Sequence, residues 1–175
     1  MAHRDIDKQV RAYDRMHSKY EVYTTRMMRL LEQLLREDGT PLHAIEYRVK
    51  SVESFRRKAC LPDKEYDDPL RQIPDLAGLR IIVYRLQDIE TVSGLIESEL
   101  KVLKRTSAGE GTGCEPEKFG CRSIHLDVML DDRRAALTEW SDMEDMMAEI
   151  QVRTVLQHAW AAVSHALEYK SEAGL

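Results

Sequence analysis

Residues 73–84, which read Ile-Pro-Asp-Leu-Ala-Gly-Leu-Arg-Ile-Ile-Val-Tyr, constrain the fold more than any other stretch of this chain. Pro74 interrupts the preceding loop, and Asp75 stands at a tight turn that contains Gly78. The segment that follows is so apolar that it predicts a strand buried on both faces, in the middle of a sheet. Asp75 and Arg80 are therefore held at the edge of a rigid element, where an enzyme could bind a metal ion and a nucleotide.

Composition excludes several classes of protein. A chain of 175 residues suits one domain with a single core. A net charge of −5 argues against a protein that coats nucleic acid, so any polyanion must meet a local basic patch. No apolar run approaches the roughly 20 residues that span a bilayer, and the start does not resemble a signal sequence. The three cysteines lack CxxC spacing and therefore predict neither a disulfide framework nor a structural zinc site. We expect the protein to be located in the reducing cytoplasm.

A long amphipathic helix is predicted from about Asp5 to Glu37, and Gly39 and Pro41 end it. We divide the chain into this N-terminal helix, residues 1–41, and a domain over residues 42–175. The helix could pack on the domain or form a seam with another chain. Its stripe follows spacings of three and four and contains Val10, Tyr13, His17, Tyr20, Thr24, Met27, Leu31 and Leu34.

A basic strand-to-helix junction follows. From Leu42 the period changes to two, which places Glu46, Arg48 and Lys50 on one face of a strand and His43, Ile45, Tyr47 and Val49 on the other. Ser51 is a natural N-cap for the next helix, whose free backbone N–H groups favour phosphate. A phosphate site and a solvated basic helix both fit this pattern. The helix carries Ser54, Arg56, Arg57 and Lys58.

The remaining elements are assigned from periodicity and breakers. Residues 61–74 read as a surface loop, residues 109–113 as a mobile glycine-containing linker, and residues 131–147 as a connection with at most one helical turn. Strands are predicted at Leu79–Tyr84, Lys101–Lys104, Gly120–Leu130 and Glu149–Arg153. Helices are predicted from the N-cap Asp88 to Glu99 and from the capping box at Thr154 to Tyr169, with Leu156, Ala159, Val163 and Leu167 buried.

Polar residues occupy one face of several predicted strands, which indicates an open, hydrated cleft. They are Arg48 and Lys50; Ser123, His125 and Asp127; and Glu149, Gln151 and Arg153. Two carboxylates from distant segments, Asp75 and Glu149, could share Mg²⁺, which prefers oxygen ligands and substrate phosphates. Surrounding cations would neutralise a polyphosphate. The pattern therefore predicts Mg²⁺-dependent chemistry on a nucleotide.

Five motifs in order resemble the RelA/SpoT synthetase domain, over roughly residues 42–170. They are Tyr47-Arg48-Val49-Lys50-Ser51 with Ser54 and Lys58; Ile73 to Ile81; Phe119-Gly120-Cys121-Arg122-Ser123-Ile124-His125; Glu149-Ile150-Gln151-Val152-Arg153-Thr154; and Gln157-His158-Ala159-Trp160 with His165 and Tyr169-Lys170. The resemblance implies an α+β fold, a mixed five-stranded sheet with flanking helices related to nucleotidyltransferases. It also implies transfer of pyrophosphate from ATP to the ribose 3′-hydroxyl of a guanosine nucleotide, with release of AMP.

The same resemblance assigns roles residue by residue. Arg48 and Arg80 would stack on adenine, and the donor phosphates would be held by Lys50, Ser54 and Lys58. Asp75 and Glu149 would bind Mg²⁺, with Glu149 as general base on the 3′-hydroxyl. The acceptor would contact Lys118, Cys121, Arg122, His125, Gln151 and His158. Arg153 and His165 could have a role in the site or could only brace the sheet and the last helix, and the sequence favours neither.

One position departs from the family pattern. Cys121 stands where the family has a tyrosine that stacks on guanine, and a thiol cannot replace stacking worth roughly 1–3 kcal/mol. The acceptor could therefore be GDP or GTP, an adenosine nucleotide, or the 3′ CCA end of tRNA, as in toxic small members. A catalytically inactive nucleotide-binding module is the alternative from another class. The end soon after Tyr169-Lys170 indicates a truncated or unusually short member, and terminal helices could form a homo-oligomer.

Overall fold

Within the described residues, five strands form one mixed sheet, in which one neighbouring pair runs parallel and the other neighbouring pairs run antiparallel. The structure is a computed structural model that describes residues 3–61, 66–108 and 123–172, with side chains over 6–61, 66–107 and 123–164. It confirms the mixed five-stranded sheet with flanking helices. The strands are Leu42–Val49 (β1), Ala77–Val83 (β2), Lys101–Ala108 (β3), Ser123–Met129 (β4) and Ala148–Thr154 (β5). Their order across the sheet is β1-β2-β5-β4-β3, and β2 with β5 is the parallel pair.

The strand that the sequence marked as buried, β2, lies inside the sheet between β1 and β5, although the middle position of the sheet belongs to β5. Ile81 and Val83 have no exposed surface and Ile82 is also buried, so β2 is covered on both faces over this stretch. On β5 and β4, by contrast, buried residues alternate with half-buried polar ones. This alternation gives the sheet one apolar face, under the helices, and one face rich in polar side chains.

Six helices connect or flank the strands in the described ranges. Their bounds are His3–Asp38 (α1), Val52–Ala59 (α2), Pro69–Gln72 (α3), Leu86–Glu99 (α4), Asp132–Ala135 (α5) and Val155–Glu172 (α6), with single 3₁₀ turns at Pro74–Leu76 and Thr138–Trp140. None of the described helices is both long and apolar enough to cross a membrane. Ser51 caps α2, as predicted, by accepting from the backbone N–H of Ser54. Thr154 and Gln157 also form the predicted capping box.

The N-terminal helix α1 belongs to the same core as the sheet and packs against β1, β2 and α2. Its buried face includes Tyr23 and Leu35, which the predicted stripe missed. Two of its fully buried tyrosines donate hydrogen bonds to distant backbone carbonyls. The Tyr13 hydroxyl donates to Lys50 O at 2.6 Å, and the Tyr23 hydroxyl donates to Met146 O at 3.0 Å. Because a buried hydroxyl needs a partner, these bonds fix where α1 sits.

Several boundaries differ from the predictions. Asp88 is not the N-cap of α4: Arg85 is, and Asp88 accepts from the Arg85 backbone N–H one turn into the motif. The predicted loop at residues 61–74 includes the single turn of α3. Strand β3 continues beyond the predicted end at Lys104 to Ala108, because it pairs with β4 over these residues. It is an edge strand, so its polar side chains can face solvent. On β1 a bulge next to Leu42 leaves His43 exposed.

The predicted buried face of α6 is wrong. Leu156 and Val163 are 63% and 54% exposed, Ala159 is exposed as well, and the Leu167 side chain lies outside the described residues. The helix packs chiefly against β5 and β2, through buried Gln157 near its start. Periodicity identified the apolar stripe, but it could not show that the described part of the domain leaves this stripe uncovered.

We expect Tyr13→Phe to lower the free energy of unfolding by about 1–2 kcal/mol, because it leaves the Lys50 carbonyl without its buried donor. Tyr20→Phe is the matched control: Tyr20 is buried on the same helix, but its hydroxyl makes no hydrogen bond within the described residues. Urea denaturation of the two variants measures the difference. Equal losses would contradict a specific role for the Tyr13 hydroxyl.

Candidate active site

Strand register places five of the predicted site residues, together with three neighbours, in two rows across the polar face of the sheet. The first row runs Glu46, Arg80, Gln151, His125, and the second runs Arg48, Gly78, Glu149, Asp127. Neighbours in a row lie directly opposite each other on paired strands, so their side chains interact. The polar face inferred from alternation is therefore a continuous surface shared by β1, β2, β5 and β4.

Gly78 is the one position in these rows without a side chain. A Cβ atom built there would lie 3.4 Å from Arg48 Cγ, which is a van der Waals contact, so the Arg48 side chain lies directly over Gly78 on β2. Beside it is a cavity of about 100 Å³. Its walls include Glu46, Tyr47, Arg48, Gly78, Leu79, Arg80, Glu149 and Gln151. The two arginines predicted to hold adenine thus line a single cavity.

Asp75 lies in the 3₁₀ turn before β2 and is 8% exposed. Lys50 Nζ is 2.8 Å from its Oδ2 and Lys58 Nζ is 2.9 Å from its Oδ1. Burial alone would raise the pKa of Asp75, but the hydrogen bonds and charges of the two lysines outweigh it and lower this pKa. Two lysines from the first motif therefore meet the ionised carboxylate of the second motif.

Glu149 is held by two neighbours on the same face. His125 Nδ1 lies 3.1 Å from its Oε1, and Gln151 Nε2 donates to its Oε2 at 3.3 Å. Burial would raise the pKa of Glu149, but the His125 hydrogen bond and charge lower it, partly against the charge of Asp75. The far nitrogen of His125 is 3.2 Å from Ser123 Oγ. Glu149 is thus oriented and ionised, as a general base has to be.

Gln151 joins the two halves of the site. Its Oε1 accepts from Arg153 Nη2 at 2.5 Å and from Arg80 Nε at 3.4 Å, which leaves its Nε2 directed at Glu149. Arg80 Nη1 in turn donates to Glu46 Oε2 at 2.9 Å. A chain of hydrogen bonds therefore connects Glu46 on β1 with His125 on β4.

His158 lies beside Glu46, with 3.8 Å between Nε2 and Oε1, and Glu46 is the residue that pairs with Arg80. Its Nδ1 and Arg153 Nε are buried atoms without a hydrogen-bond partner within the described part of the chain. Ser54 lies at the start of α2, where its Oγ accepts from Ser51 Oγ at 2.9 Å. Lys118, Cys121 and Arg122 lie outside the described residues.

The donor set suits Mg²⁺ when phosphates complete it. Asp75 and Glu149 supply hard oxygen ligands and lie close enough for the charge of one to affect the pKa of the other. In the described ranges no group of three or more His, Cys, Asp or Glu side chains forms a closed metal site. Mg²⁺ commonly takes one or two carboxylates plus water and substrate phosphates, and two carboxylates meet that need.

Two residues with a place in the site were not assigned a role from sequence. Glu46 pairs with Arg80, and alternation had already put it on the face of Arg48. Asp127 lies opposite Glu149 in register, and burial together with the charge of Glu149 raises its pKa. The signal for both was strand periodicity, but register between strands was needed to show which neighbours they meet.

The sequence of the chain matches a known family and two curated relatives. Residues 47–174 match the family described as "Region found in RelA / SpoT proteins". The chain is 30% identical over 139 residues to GTP pyrophosphokinase YjbM of Bacillus subtilis (strain 168), covering 77% of this chain and 60% of that relative. It is 28% identical over 166 residues to GTP pyrophosphokinase YwaC of the same organism, covering 91% of this chain and 70% of that protein.

The fold is shared with a solved relative. Small alarmone synthetase 1 from Bacillus subtilis, in a crystal structure bound to its product pppGpp, superposes with a TM-score of 0.72 at 25% identity. The match covers 94% of this chain and 84% of that one. The mixed sheet with its flanking helices is therefore a fold that this chain shares with that synthetase.

We expect Asp75→Asn to be less stable than the wild type at pH 7 by about 1–3 kcal/mol, because two lysines lose a charged acceptor. The folded-state pKa of Asp75 is lowered, so this stability is present above the unfolded-state pKa, about 3.9, and is lost as the pH falls through the folded-state pKa. Urea denaturation between pH 7 and pH 3 measures it. Exposed Asp145→Asn is the control, and a pH-independent deficit in Asp75→Asn would contradict this linkage.

Proposed function

Because the chain belongs to the RelA/SpoT family, we propose that it transfers pyrophosphate from ATP to the ribose 3′-hydroxyl of GDP or GTP and so makes (p)ppGpp-type alarmones. One observation carries the proposal: Asp75 with its two lysines, and Glu149 with its two orienting neighbours, share a face with the Arg48–Arg80 cavity. The names of the two Bacillus relatives, both GTP pyrophosphokinases, support it.

The donor half of the site would hold ATP. Planar guanidinium groups stack on bases, and Arg48 on β1 and Arg80 on β2 line the same cavity, with Gly78 of β2 opposite Arg48. Lys50, Lys58 and Ser54 would bind the donor phosphates, next to the N-terminus of α2. Mg²⁺, held by Asp75 and Glu149, would neutralise charge on the phosphates when bound.

The transfer step assigns Glu149 as general base. Its carboxylate takes the proton of the acceptor 3′-hydroxyl, and the oxygen attacks the β-phosphorus of ATP. A new P–O bond forms there, the bond to the bridging oxygen of the α-phosphate breaks, and AMP leaves with that oxygen. His125 and Gln151 hold the carboxylate in position during this step. The lysines that face Asp75 stabilise the negative charge of the departing AMP and the transferred group.

The acceptor half includes residues that the structure does not describe. His125, Gln151 and His158, together with Lys118, Cys121 and Arg122, would contact the acceptor. A tRNA 3′ end is the second candidate, since exposed Arg56 and Arg57 on α2 suit an RNA backbone. An adenosine nucleotide as acceptor and a binding module without catalysis are further outcomes of the test. Assembly through terminal helices also stays a prediction, for which exposed Leu156, Trp160 and Val163 on α6 are suited.

We expect β/γ-labelled ATP with Mg²⁺ to label GDP or GTP when GDP, GTP, ADP and deacylated tRNA are offered in turn. Glu149→Gln should lower kcat by about 100-fold or more, because the general base is lost while its size is kept. Thin-layer separation of labelled products gives the rates. Glu97→Gln is the matched control, because Glu97 lies on α4 and pairs with Arg105.

The outcomes of that assay separate the candidates. Label on tRNA alone would refute the alarmone proposal, and label on no acceptor would favour the binding module. Full activity of Glu149→Gln would refute its assignment as the base.

Cys121→Tyr is expected to raise kcat/KM for GDP or GTP by roughly 5- to 100-fold, because an aromatic ring adds stacking on the guanine. Steady-state assays with GDP and ADP as acceptors measure it, and Cys121→Ala serves as the control for loss of the thiol. An unchanged preference would mean that the acceptor base is recognised elsewhere.

A further inference from the structure

Both carboxylate oxygens of Asp75 are engaged by lysine ammonium groups. Lys50 contacts Oδ2 and Lys58 contacts Oδ1, and the side chains of all three residues are no more than 25% exposed. The predicted metal ligand thus already has a cation at each oxygen. A divalent ion that binds Asp75 has to compete with two ammonium groups.

The backbone of each lysine is fixed, whereas the charged end is carried on a long stem. The Lys50 N–H donates to Leu76 O at 3.0 Å, directly after Asp75, and Tyr13 holds the Lys50 carbonyl. Lys58 lies in the last turn of α2, which is anchored by buried Phe55. A lysine side chain carries its ammonium group on a flexible stem of four carbons, so this group can change partner while the backbone stays in place.

The same two lysines would hold the donor phosphates, and this inference therefore rests on the proposed function. A lysine that donates to a phosphate leaves Asp75 without that partner. The carboxylate would then face the negative phosphates, an arrangement that a divalent cation between them relieves. The two ammonium groups can pair either with Asp75 or with the polyphosphate. When they pair with the polyphosphate, a divalent cation is needed to balance the charge of Asp75.

We propose that Lys50 and Lys58 keep Asp75 from binding a divalent cation until a donor polyphosphate takes their ammonium groups, so that nucleotide and cation bind cooperatively. The lysines then have two functions: they bind the phosphates and they control access to the metal ligand. Because coupling between two ligands is reciprocal, the cation must strengthen nucleotide binding by the same factor as the nucleotide strengthens cation binding.

The proposal makes a prediction opposite to a simple phosphate-binding role. Removing a lysine should increase the affinity of the nucleotide-free protein for a divalent cation. We expect Lys58→Met to bind Mn²⁺, used as a spectroscopic substitute for Mg²⁺, about 5- to 10-fold more tightly than the wild type. Electron paramagnetic resonance titration of the full chain without nucleotide measures free and bound Mn²⁺ directly. Lys50→Met, tested alongside, provides a second variant should the first unfold in thermal denaturation.

Two controls separate this effect from a general change in charge. Lys104→Met removes one positive charge from exposed Lys104, which lies opposite Asp127 on the edge strand and has no contact with Asp75. Its effect on Mn²⁺ affinity should be less than about twofold, as for a screened surface charge. The double variant Lys58→Met with Asp75→Asn should lose the gain, because the site of binding is removed.

Three outcomes of these binding experiments would overturn the proposal. A Lys58→Met protein that binds Mn²⁺ no more tightly than Lys104→Met overturns the proposal, and so does a gain that persists in the Asp75→Asn background. Binding of the analogue AMPCPP in EDTA should weaken in Lys58→Met, and unchanged binding would also overturn it. The proposed function is judged separately: absence of transfer by the wild type, with an Asp75-dependent gain in Mn²⁺ affinity, would refute the transferase and leave the lysine control standing.

Discussion

The parallel pairing of β2 with β5 is the constraint on which the site depends. It places Gly78 opposite Glu149 and Arg80 opposite Gln151, and the antiparallel strands on either side extend both rows. A shift of one residue would send each of these side chains to the apolar face. The buried residues Ile81 and Ile150 oppose such a shift, because it would expose them. Core packing therefore sets the chemistry of the opposite face.

Helix α1 supports the same arrangement from behind. Tyr13 holds the backbone at Lys50, where β1 ends, and Tyr23 holds it at Met146, three residues before Glu149. The residues assigned to the donor phosphates and to the general base thus share one rigid support. Division of the chain at residue 41 follows a change of secondary structure, whereas the packing of α1 makes it part of the domain that carries the site.

Much of this could be predicted from sequence, for physical reasons that differ between residues. The apolar run after Asp75 predicted a strand buried inside the sheet, and alternation on β4 and β5 predicted a polar face. Ser51 could be assigned as a cap because capping is local. The pairing of Asp75 with both lysines could not be predicted, since it depends on how α2 folds back over the turn. The exposure of Leu156 and Val163 is also tertiary, because periodicity identifies a stripe but not what covers it. The roles of Lys118, Cys121 and Arg122 remain sequence predictions.

The neighbours of Gln151 fix the orientation of its side-chain amide. Its oxygen faces the two guanidinium groups of Arg80 and Arg153, and its nitrogen faces the carboxylate of Glu149. Rotation of the amide by half a turn would oppose donor to donor on one side and acceptor to acceptor on the other. The uncharged side chain of Gln151 therefore connects the arginines to the proposed base, Glu149. The position of the Arg80 guanidinium on β2 and the orientation of the Glu149 carboxylate on β5 are therefore coupled through one side chain, which accepts hydrogen bonds at one end and donates at the other.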